Sequence, residues 1–228
     1  MNTINPSQLS ELTALVEGQL IPGLQLMSES DCEPIKVTHT PKPWKVLGAG
    51  NYAGVFAHPD WEDAVVKVYA PGREGWESEL EVYSKLGSHP AYSECYGSGI
   101  HQGRQYLILK RIRGMTLYNC VLHGILIPQS VIHDIDEALD YARTQGLHPH
   151  DVHGKNIMIA DGRGLVVDVS DFLKEQPCGM WDDLKKAYNR IYMPFLSRRT
   201  VPVPEWVMDG VRKGYRYLRN AALTGKSS

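Results

Sequence analysis

The sequence has few features that would cross-link, export or embed the chain. Its four cysteines lie far apart, at positions 32, 95, 120 and 178, without the paired spacing of a zinc ribbon or a redox motif. We therefore expect reduced thiols in an intracellular protein, with one disulfide pair as the alternative. No run approaches the roughly 18 apolar residues of a membrane span. The nearest candidate, residues 121–127, is interrupted by His123 and Gly124.

The first six residues also lack the basic region and the apolar core of a signal peptide. This predicts a cytoplasmic protein, with export by a route that needs no such signal as the alternative. Net charge is small as well, because 24 Lys and Arg oppose 26 Asp and Glu for a formal value of -2. Neither a nucleic-acid partner nor a polybasic membrane contact is expected. The 228 residues are 43% hydrophobic, which is enough for a core and excludes a disordered chain.

What the sequence does contain is an ordered change of pattern along the chain. Short runs rich in β-branched and aromatic residues predict strands at residues 44–47, 54–57, 64–69, 92–96 and 106–112. One predicted helix, at about residues 75–86, interrupts these strands. Later residues show helical periodicity and predict helices at residues 130–145, 181–192 and 205–220. The pattern favours an α+β fold with two lobes.

The predicted organisation has three parts. Residues 1–40 form a helical arm outside the main fold, and its helix begins with Asn5 as N-cap and Pro6 at the first position. Residues 41–112 form a first lobe with an antiparallel sheet and one helix. Residues 113–228 form a shortened, mainly helical second lobe.

A glycine-rich turn lies between the first two strands of the first lobe. It contains Gly48, Ala49 and Gly50, and Val55 follows on the next strand. Glycines at such a turn allow backbone N–H groups to approach phosphate oxygens closely. Taken alone, the turn is more typical of a plain hairpin.

The next two polar residues form a potential ion pair. Lys67 is set in the apolar strand 64–69, where strand alternation places it on the face of Val65 and Tyr69. Glu79 lies at the margin of the packed face of the following helix, where it is able to pair with Lys67. An edge-strand lysine and a solvated acidic helix face are the alternatives, with Glu77 and Glu81 as substitute partners.

Two segments of the second half supply further polar groups. Asp151 and Asn156 are five residues apart on a loop between a helix and an apolar strand, a spacing that lets one handle a proton and the other hold a metal. A zinc site is disfavoured, since the nearby histidines lack a helical i, i+4 pair. Asp168 ends a buried-looking strand, where a carboxylate requires a cation or hydrogen bonds.

In this order, the five features resemble the signature set of the protein-kinase fold. The resemblance covers residues 44–172 and implies an ATP- and Mg²⁺-dependent phosphotransferase with a bilobal kinase-like fold. It implies that the turn covers the ATP phosphates and that Lys67 contacts them while pairing with Glu79. It also implies that Asp151 acts on the attacking hydroxyl and that Asn156 and Asp168 hold Mg²⁺.

The resemblance also extends to the segment that joins the lobes. Residues 107–117 are similar to the interlobe hinge of the family. Leu109 would then occupy the gatekeeper position, and Lys110 and Ile112 would offer backbone groups to adenine.

Several residues depart from the family pattern. The third glycine of the turn is replaced by Ala53, and the metal motif reads Asp168-Val169-Ser170, with Asp171 as the reserve ligand. Pro149-His150 stands where most protein kinases have His-Arg, which argues against regulation by loop phosphorylation. His153 stands where protein kinases usually have lysine and is similar to the histidine of aminoglycoside and choline phosphotransferases.

Little sequence follows residue 172, so a long activation segment and a full peptide-docking platform are not expected. The leading hypothesis is a Ser/Thr protein kinase with a protein substrate. A small-molecule kinase on the same fold is the first alternative. A pseudokinase that acts as an interaction scaffold is the second, and the sequence leaves the oligomeric state open.

Overall fold

The structure is a computed structural model that describes residues 4–28, 33–197 and 201–224, with side chains described as far as residue 214. Cys32 lies outside these ranges, and Cys95, Cys120 and Cys178 are free thiols. None of the helices in the described ranges is both long enough and apolar enough to cross a membrane.

The N-terminal segment starts with a helix whose first turn is capped by side chains. The Asn5 side chain accepts the Gln8 N–H at 2.9 Å, and the Gln8 side chain accepts the Asn5 N–H at 3.0 Å. Pro6 fits at the first helical position because it has no N–H to satisfy. The segment contains helix α1 (Pro6–Leu15), a π-helical continuation (Val16–Leu20), helix α2 (Ile21–Gly23), and strands β1 (Gln25–Met27) and β2 (Lys36–His39), which pair antiparallel.

The first lobe is built on a five-stranded antiparallel sheet with the order β3-β4-β5-β7-β6. A single helix, α3 (Trp76–Leu86), connects the third strand to the fourth strand along the chain. The strands are β3 (Lys45–Ala49), β4 (Ala53–Ala57), β5 (Ala64–Tyr69), β6 (Cys95–His101) and β7 (Arg104–Lys110).

Both faces of this sheet are covered. Val65, Tyr69 and Leu107 belong to the core that includes α3 and the second lobe. The alternate residues of the same strands, such as Val66 and Ile108, face a second core formed with the N-terminal segment. The buried residues that this segment contributes are Leu12, Val16, Leu20, Ile21, Leu24, Leu26 and Ile35.

The second lobe combines a small sheet with helices. Strands β8 (Met115–Thr116), β9 (Ile157–Ala160) and β10 (Arg163–Val166) form a three-stranded sheet with the order β10-β9-β8. The helices are α4 (Leu117–His123), α5 (Gln129–Thr144), α6 (Met180–Ala187), which continues as a π-helical stretch (Tyr188–Leu196), and α7 (Glu205–Thr224).

Close packing of α5 on β10 anchors the small sheet. A Cβ on Gly164 would lie 2.7 Å from the backbone oxygen of Val131, so only glycine permits this approach. On α5, Val131, Ile135 and Leu139 form the buried stripe that the sequence periodicity predicts.

The antiparallel sheet with one helix, followed by a mainly helical half, confirms the predicted α+β class. The boundaries at residues 40 and 112 stay predictions. The N-terminal segment is not a separate arm, because its apolar face packs on the outer side of the sheet and covers it.

Truncation of Leu20 tests whether the packing of the N-terminal segment on the sheet stabilises the lobe. Leu20 is 0% exposed, so Leu20→Ala is expected to lower the free energy of unfolding by about 2–5 kcal/mol. The neighbouring Gln19→Ala removes an exposed side chain and should change it by less than about 0.5 kcal/mol. Urea denaturation of both variants is the measurement. Equal, small effects would mean that the segment only rests on the sheet.

Candidate active site

A buried ion pair joins the central strand of the first lobe to its helix. Lys67 Nζ on β5 lies 2.8 Å from Glu79 Oε1 and 2.7 Å from Oε2 on α3. The Glu79 side chain is 0% exposed and the Lys67 side chain 10%. Tyr69 donates its hydroxyl to Glu79 Oε2 as well. The predicted pair is therefore formed, and Glu79, unlike Glu77 and Glu81, is the partner.

Electrostatic coupling fixes the charge of this lysine. Burial lowers the pKa of Lys67, but the carboxylates of Asp168 and Glu79 raise it by more, so the net effect is upward. For Glu79, burial raises the pKa and Lys67 lowers it, and the net direction is upward. A positively charged ammonium group is therefore held inside the lobe at neutral pH.

Asp168 extends the pair into the cleft between the lobes. Its Oδ1 lies 3.4 Å from Lys67 Nζ and accepts the Ser170 backbone N–H at 3.2 Å and the Ser170 hydroxyl. Burial would raise the pKa of Asp168, yet Lys67 and Ser170 lower it overall. No hydrogen bond to Oδ2 occurs within the described ranges, so Asp168 presents one unbonded carboxylate oxygen.

The loop that precedes β9 brings Asp151 and Asn156 close to each other and to the segment that carries Asp168. Asn156 donates its side-chain N–H to the backbone oxygen of Asp151 at 3.0 Å. The Val167 N–H in turn donates to the Asn156 backbone oxygen at 3.0 Å. Because Val167 directly precedes Asp168, this bond places Asn156 beside Asp168.

Asp151 occupies an unusual backbone position with charged neighbours. Its φ of 56° lies in the left-handed region, which Asp tolerates better than most residues. Burial raises its pKa, His153 lowers it, and Asp171 and Asp168 raise it, so the net direction is upward. His153 Nε2 lies 3.7 Å from Asp151 Oδ2, while His153 Nδ1 accepts the Lys155 N–H at 3.3 Å. A neutral His153 ring therefore carries its proton on the nitrogen that faces Asp151.

Two glycines of the glycine-rich turn have open space where a side chain would lie, although the Gly50 carbonyl accepts the Ile35 N–H at 2.9 Å. A Cβ on Gly48 or Gly50 would meet nothing within 4 Å. Internal packing therefore does not require glycine at these positions, in contrast to Gly54, where a Cβ would lie 2.8 Å from the Phe56 ring. Ala49 pairs with Gly54 in the ladder between β3 and β4, and Val55 pairs with Lys67 between β4 and β5.

The segment that joins the lobes differs from the expectation at one residue. Leu109 is 5% exposed, as a gatekeeper side chain would be. The Lys110 N–H, however, donates to Glu94 O at 2.8 Å, and the Lys110 carbonyl accepts from Ser93 at 2.8 Å. Its backbone is therefore already bonded, whereas Ile112 has no backbone hydrogen bond within the described part of the chain.

Sequence reasoning missed three side chains that touch the site. Tyr69 hydrogen-bonds to Glu79, Ser170 to Asp168, and Tyr52 to Asp171. Tyr69 and Ser170 each follow a functional residue by two positions, which places Tyr69 on the Lys67 face of the strand and Ser170 within reach of the preceding carboxylate. The Tyr52 contact has no such local signal.

A glycine-rich turn over a buried Lys–Glu pair, with a loop Asp and an Asn–Asp pair across the cleft, defines the class of protein-kinase-like phosphotransferases. Comparison with known proteins gives the same result. A Bacillus subtilis (strain 168) relative named "Putative serine/threonine-protein kinase YrzF" is 32% identical over 170 residues, which are 73% of this chain and 77% of the relative. The chain therefore belongs to the protein-kinase-like superfamily. No protein-family model matches the chain.

Three solved structures with detectable similarity are forms of one kinase domain. The Mycobacterium tuberculosis PknI kinase domain is 23% identical with a TM-score of 0.45, over 58% of this chain and 60% of that chain. A single-substitution mutant of the same domain is 22% identical with a TM-score of 0.44, over 58% of this chain and 59% of that chain. The chain thus spans less than two thirds of the length of these kinase domains.

A set of substitutions tests the interdependence of Lys67 and Glu79. Lys67→Met leaves a fully buried carboxylate without its cation and is expected to lower the free energy of unfolding by about 3–5 kcal/mol. Lys67→Met combined with Glu79→Leu should recover at least half of this loss, because a buried apolar pair replaces the ion pair. Urea denaturation measures both variants.

The matched control is Lys85→Met, which removes the lysine of the exposed Lys85–Glu81 pair on the same helix. It should change the free energy by less than about 1 kcal/mol. Additive losses in the double variant would contradict the coupling.

Proposed function

We propose that this protein transfers the γ-phosphoryl group of ATP, with Mg²⁺, to a Ser or Thr hydroxyl of a protein substrate in the cytoplasm. The contact of Lys67 with both Glu79 and Asp168 is the observation that carries this proposal. It supports a permanently charged ammonium group beneath the glycine-rich turn, where phosphate oxygens would enter. Phosphoryl transfer depends mainly on positioning and on neutralising such charge.

In this proposal the first lobe binds the nucleotide. The glycine-rich turn around Gly48, Ala49 and Gly50 covers the phosphates without using the Gly50 N–H, which already donates to Ala53 O at 3.0 Å, and Lys67 contacts them from below. Val55 and Leu109 form apolar walls for adenine, and Ile112 offers it backbone groups. The backbone groups of Lys110 do not contact adenine in this proposal, because they already form hydrogen bonds with Glu94 and Ser93.

The residues proposed for the metal fit Mg²⁺ in their chemistry. Asn156 and Asp168 offer oxygen donors, and Mg²⁺ is usually held by one or two such side chains together with phosphates and water. Across the described ranges, no group of three or more His, Cys, Asp or Glu is arranged to hold a metal. When bound, the ion supplies charge neutralisation at the phosphates.

Asp151 is proposed to orient the acceptor hydroxyl and to take its proton. Its raised pKa makes the carboxylate a better proton acceptor than an exposed aspartate. The serine/threonine-protein kinase in the relative's name supports a protein hydroxyl as the acceptor. The contact between His153 and Asp151 favours the second candidate, a small-molecule acceptor, because the histidine reduces the room available beside Asp151.

An Asp151→Asn variant tests the proposed base. It should lower the rate of autophosphorylation, or of transfer to a generic protein acceptor, by about 10²- to 10⁴-fold, because the amide accepts no proton. The thermal stabilisation by ATP and Mg²⁺ should persist. Asp161→Asn is the matched control, since Asp161 also has a positive φ, of 50°, but lies exposed in the turn between β9 and β10. Equal rates for Asp151→Asn and the unsubstituted protein would exclude Asp151 from the mechanism.

An Asp168→Asn variant tests the proposed metal ligand. Thermal melting with ATP should show that Mg²⁺ adds stability to the unsubstituted protein and adds little or nothing to the variant. Melting without nucleotide reports any general loss of stability. If Mg²⁺ increases the ATP-dependent stabilisation equally in both proteins, Asp168 does not hold the metal. If neither protein responds to ATP at all, the result contradicts the proposed nucleotide site and favours the scaffold hypothesis.

A further inference from the structure

We propose that Asp171 is a positioning residue that ties the glycine-rich turn of the first lobe to the catalytic loop of the second through Tyr52, Lys174 and His150. The effect on ATP that follows rests on the function proposed above, in which the turn covers the phosphates. The contacts of Asp171 with Tyr52, Lys174 and His150 do not depend on that function.

The carboxylate of Asp171 is surrounded by groups from three segments of the chain. Lys174 Nζ lies 2.9 Å from Oδ2, and His150 Nδ1 lies 3.8 Å from the same oxygen. The Tyr52 hydroxyl donates to Oδ1 at 3.5 Å. The Asp171 side chain is only 16% exposed, so solvent screens these contacts less than it screens a surface ion pair. Tyr52, Lys174 and His150 therefore all face the carboxylate of Asp171.

Tyr52 makes the contact between the lobes. It lies in the glycine-rich turn, and its hydroxyl contacts both Asp171 and, at 3.5 Å, the Lys174 ammonium. These partners lie 119 and 122 residues further along the chain. The ring packs against the main core, and the Tyr52 carbonyl accepts the Ala70 N–H at 3.0 Å. A contact at the tip of the turn therefore holds it toward the second lobe.

His150 connects the same carboxylate to the catalytic loop. Its Nδ1 is buried and has no hydrogen-bond partner within the described ranges, and it faces Asp171 Oδ2. His150 directly precedes Asp151. Asp171 therefore contacts both the residue before the proposed base and the turn that covers the nucleotide.

The contacts of Asp171 differ from those expected of the reserve metal ligand. Both of its oxygens have protein partners, whereas Asp168 keeps an unbonded Oδ2. Asp171 thus acts through other side chains and does not reach the reacting atoms. Loss of the tie should let the turn open more often, so that ATP leaves faster while the chemical step is little changed.

Hydrogen exchange in the nucleotide-free protein tests the tie directly. In Tyr52→Phe and in Asp171→Asn, the amides of residues 48–54 should exchange about three- to tenfold faster, the change expected for one lost hydrogen bond. The double variant should exchange no faster than Asp171→Asn alone, because both substitutions break the same contact. Asp140→Asn is the matched control, since Asp140 forms an i, i+3 ion pair with Arg143 on the exposed side of α5. Unchanged exchange in the single variants, additive changes in the double variant, or an equal change in the control would overturn the proposal.

Steady-state kinetics separates positioning from metal binding. Both single variants should raise KM for ATP by about three- to tenfold and change kcat by less than about twofold. The Mg²⁺ concentration that gives half-maximal rate should be the same in both variants as in the unsubstituted protein. If Asp171→Asn raises that concentration and Tyr52→Phe does not, Asp171 is a metal ligand and the proposal is wrong. If the protein has no kinase activity, the proposed function fails, while the exchange result still decides whether the tie exists.

Discussion

The buried contact between Lys67 and Glu79 is the interaction on which the site depends. A lysine and a glutamate removed from solvent lose their hydration, and only their mutual attraction and their hydrogen bonds offset that loss. Neither residue is tolerable in this core without the other. The strand and the helix that carry them must therefore hold one relative position. That position also fixes the ammonium against Asp168.

The two cores of the first lobe hold β5, the strand that carries Lys67, from opposite faces of the sheet. One core lies between the sheet and α3 and surrounds the ion pair. The other lies between the sheet and the N-terminal segment, and it buries the alternate residues of β5. A strand packed on both faces has little freedom to slip, because a shift by one residue would exchange its two buried sets. The N-terminal segment thus supports the site from the outer face of the sheet, and its Ile35 N–H also donates to the Gly50 carbonyl of the glycine-rich turn at 2.9 Å.

Local patterns predicted much of the fold and of the site. A run of β-branched and other apolar residues predicted the bounds of β5, and the helical period of α3 placed Glu79 near Lys67. The hairpin of β1 and β2 was not predicted, since its turn-rich sequence has too few β-branched residues to stand out. The apolar face of the first helix indicated that a partner existed, but not that the partner was the outer side of the sheet.

Contacts between residues far apart in the sequence account for what local patterns did not predict. Tyr52 meets Asp171 across 119 residues, and no periodicity encodes such a distance. The backbone of Lys110 was expected to be available, but tertiary partners, and not local propensity, decide which backbone groups stay unbonded.

The Asp168 contact with Lys67 has one further consequence. The lysine interacts with two carboxylates, and Asp168 has donors around one oxygen. A triphosphate bound as proposed would therefore meet an ammonium group that is already removed from solvent. Since these contacts already orient Lys67 and Asp168, the reorganisation energy of such binding would be small.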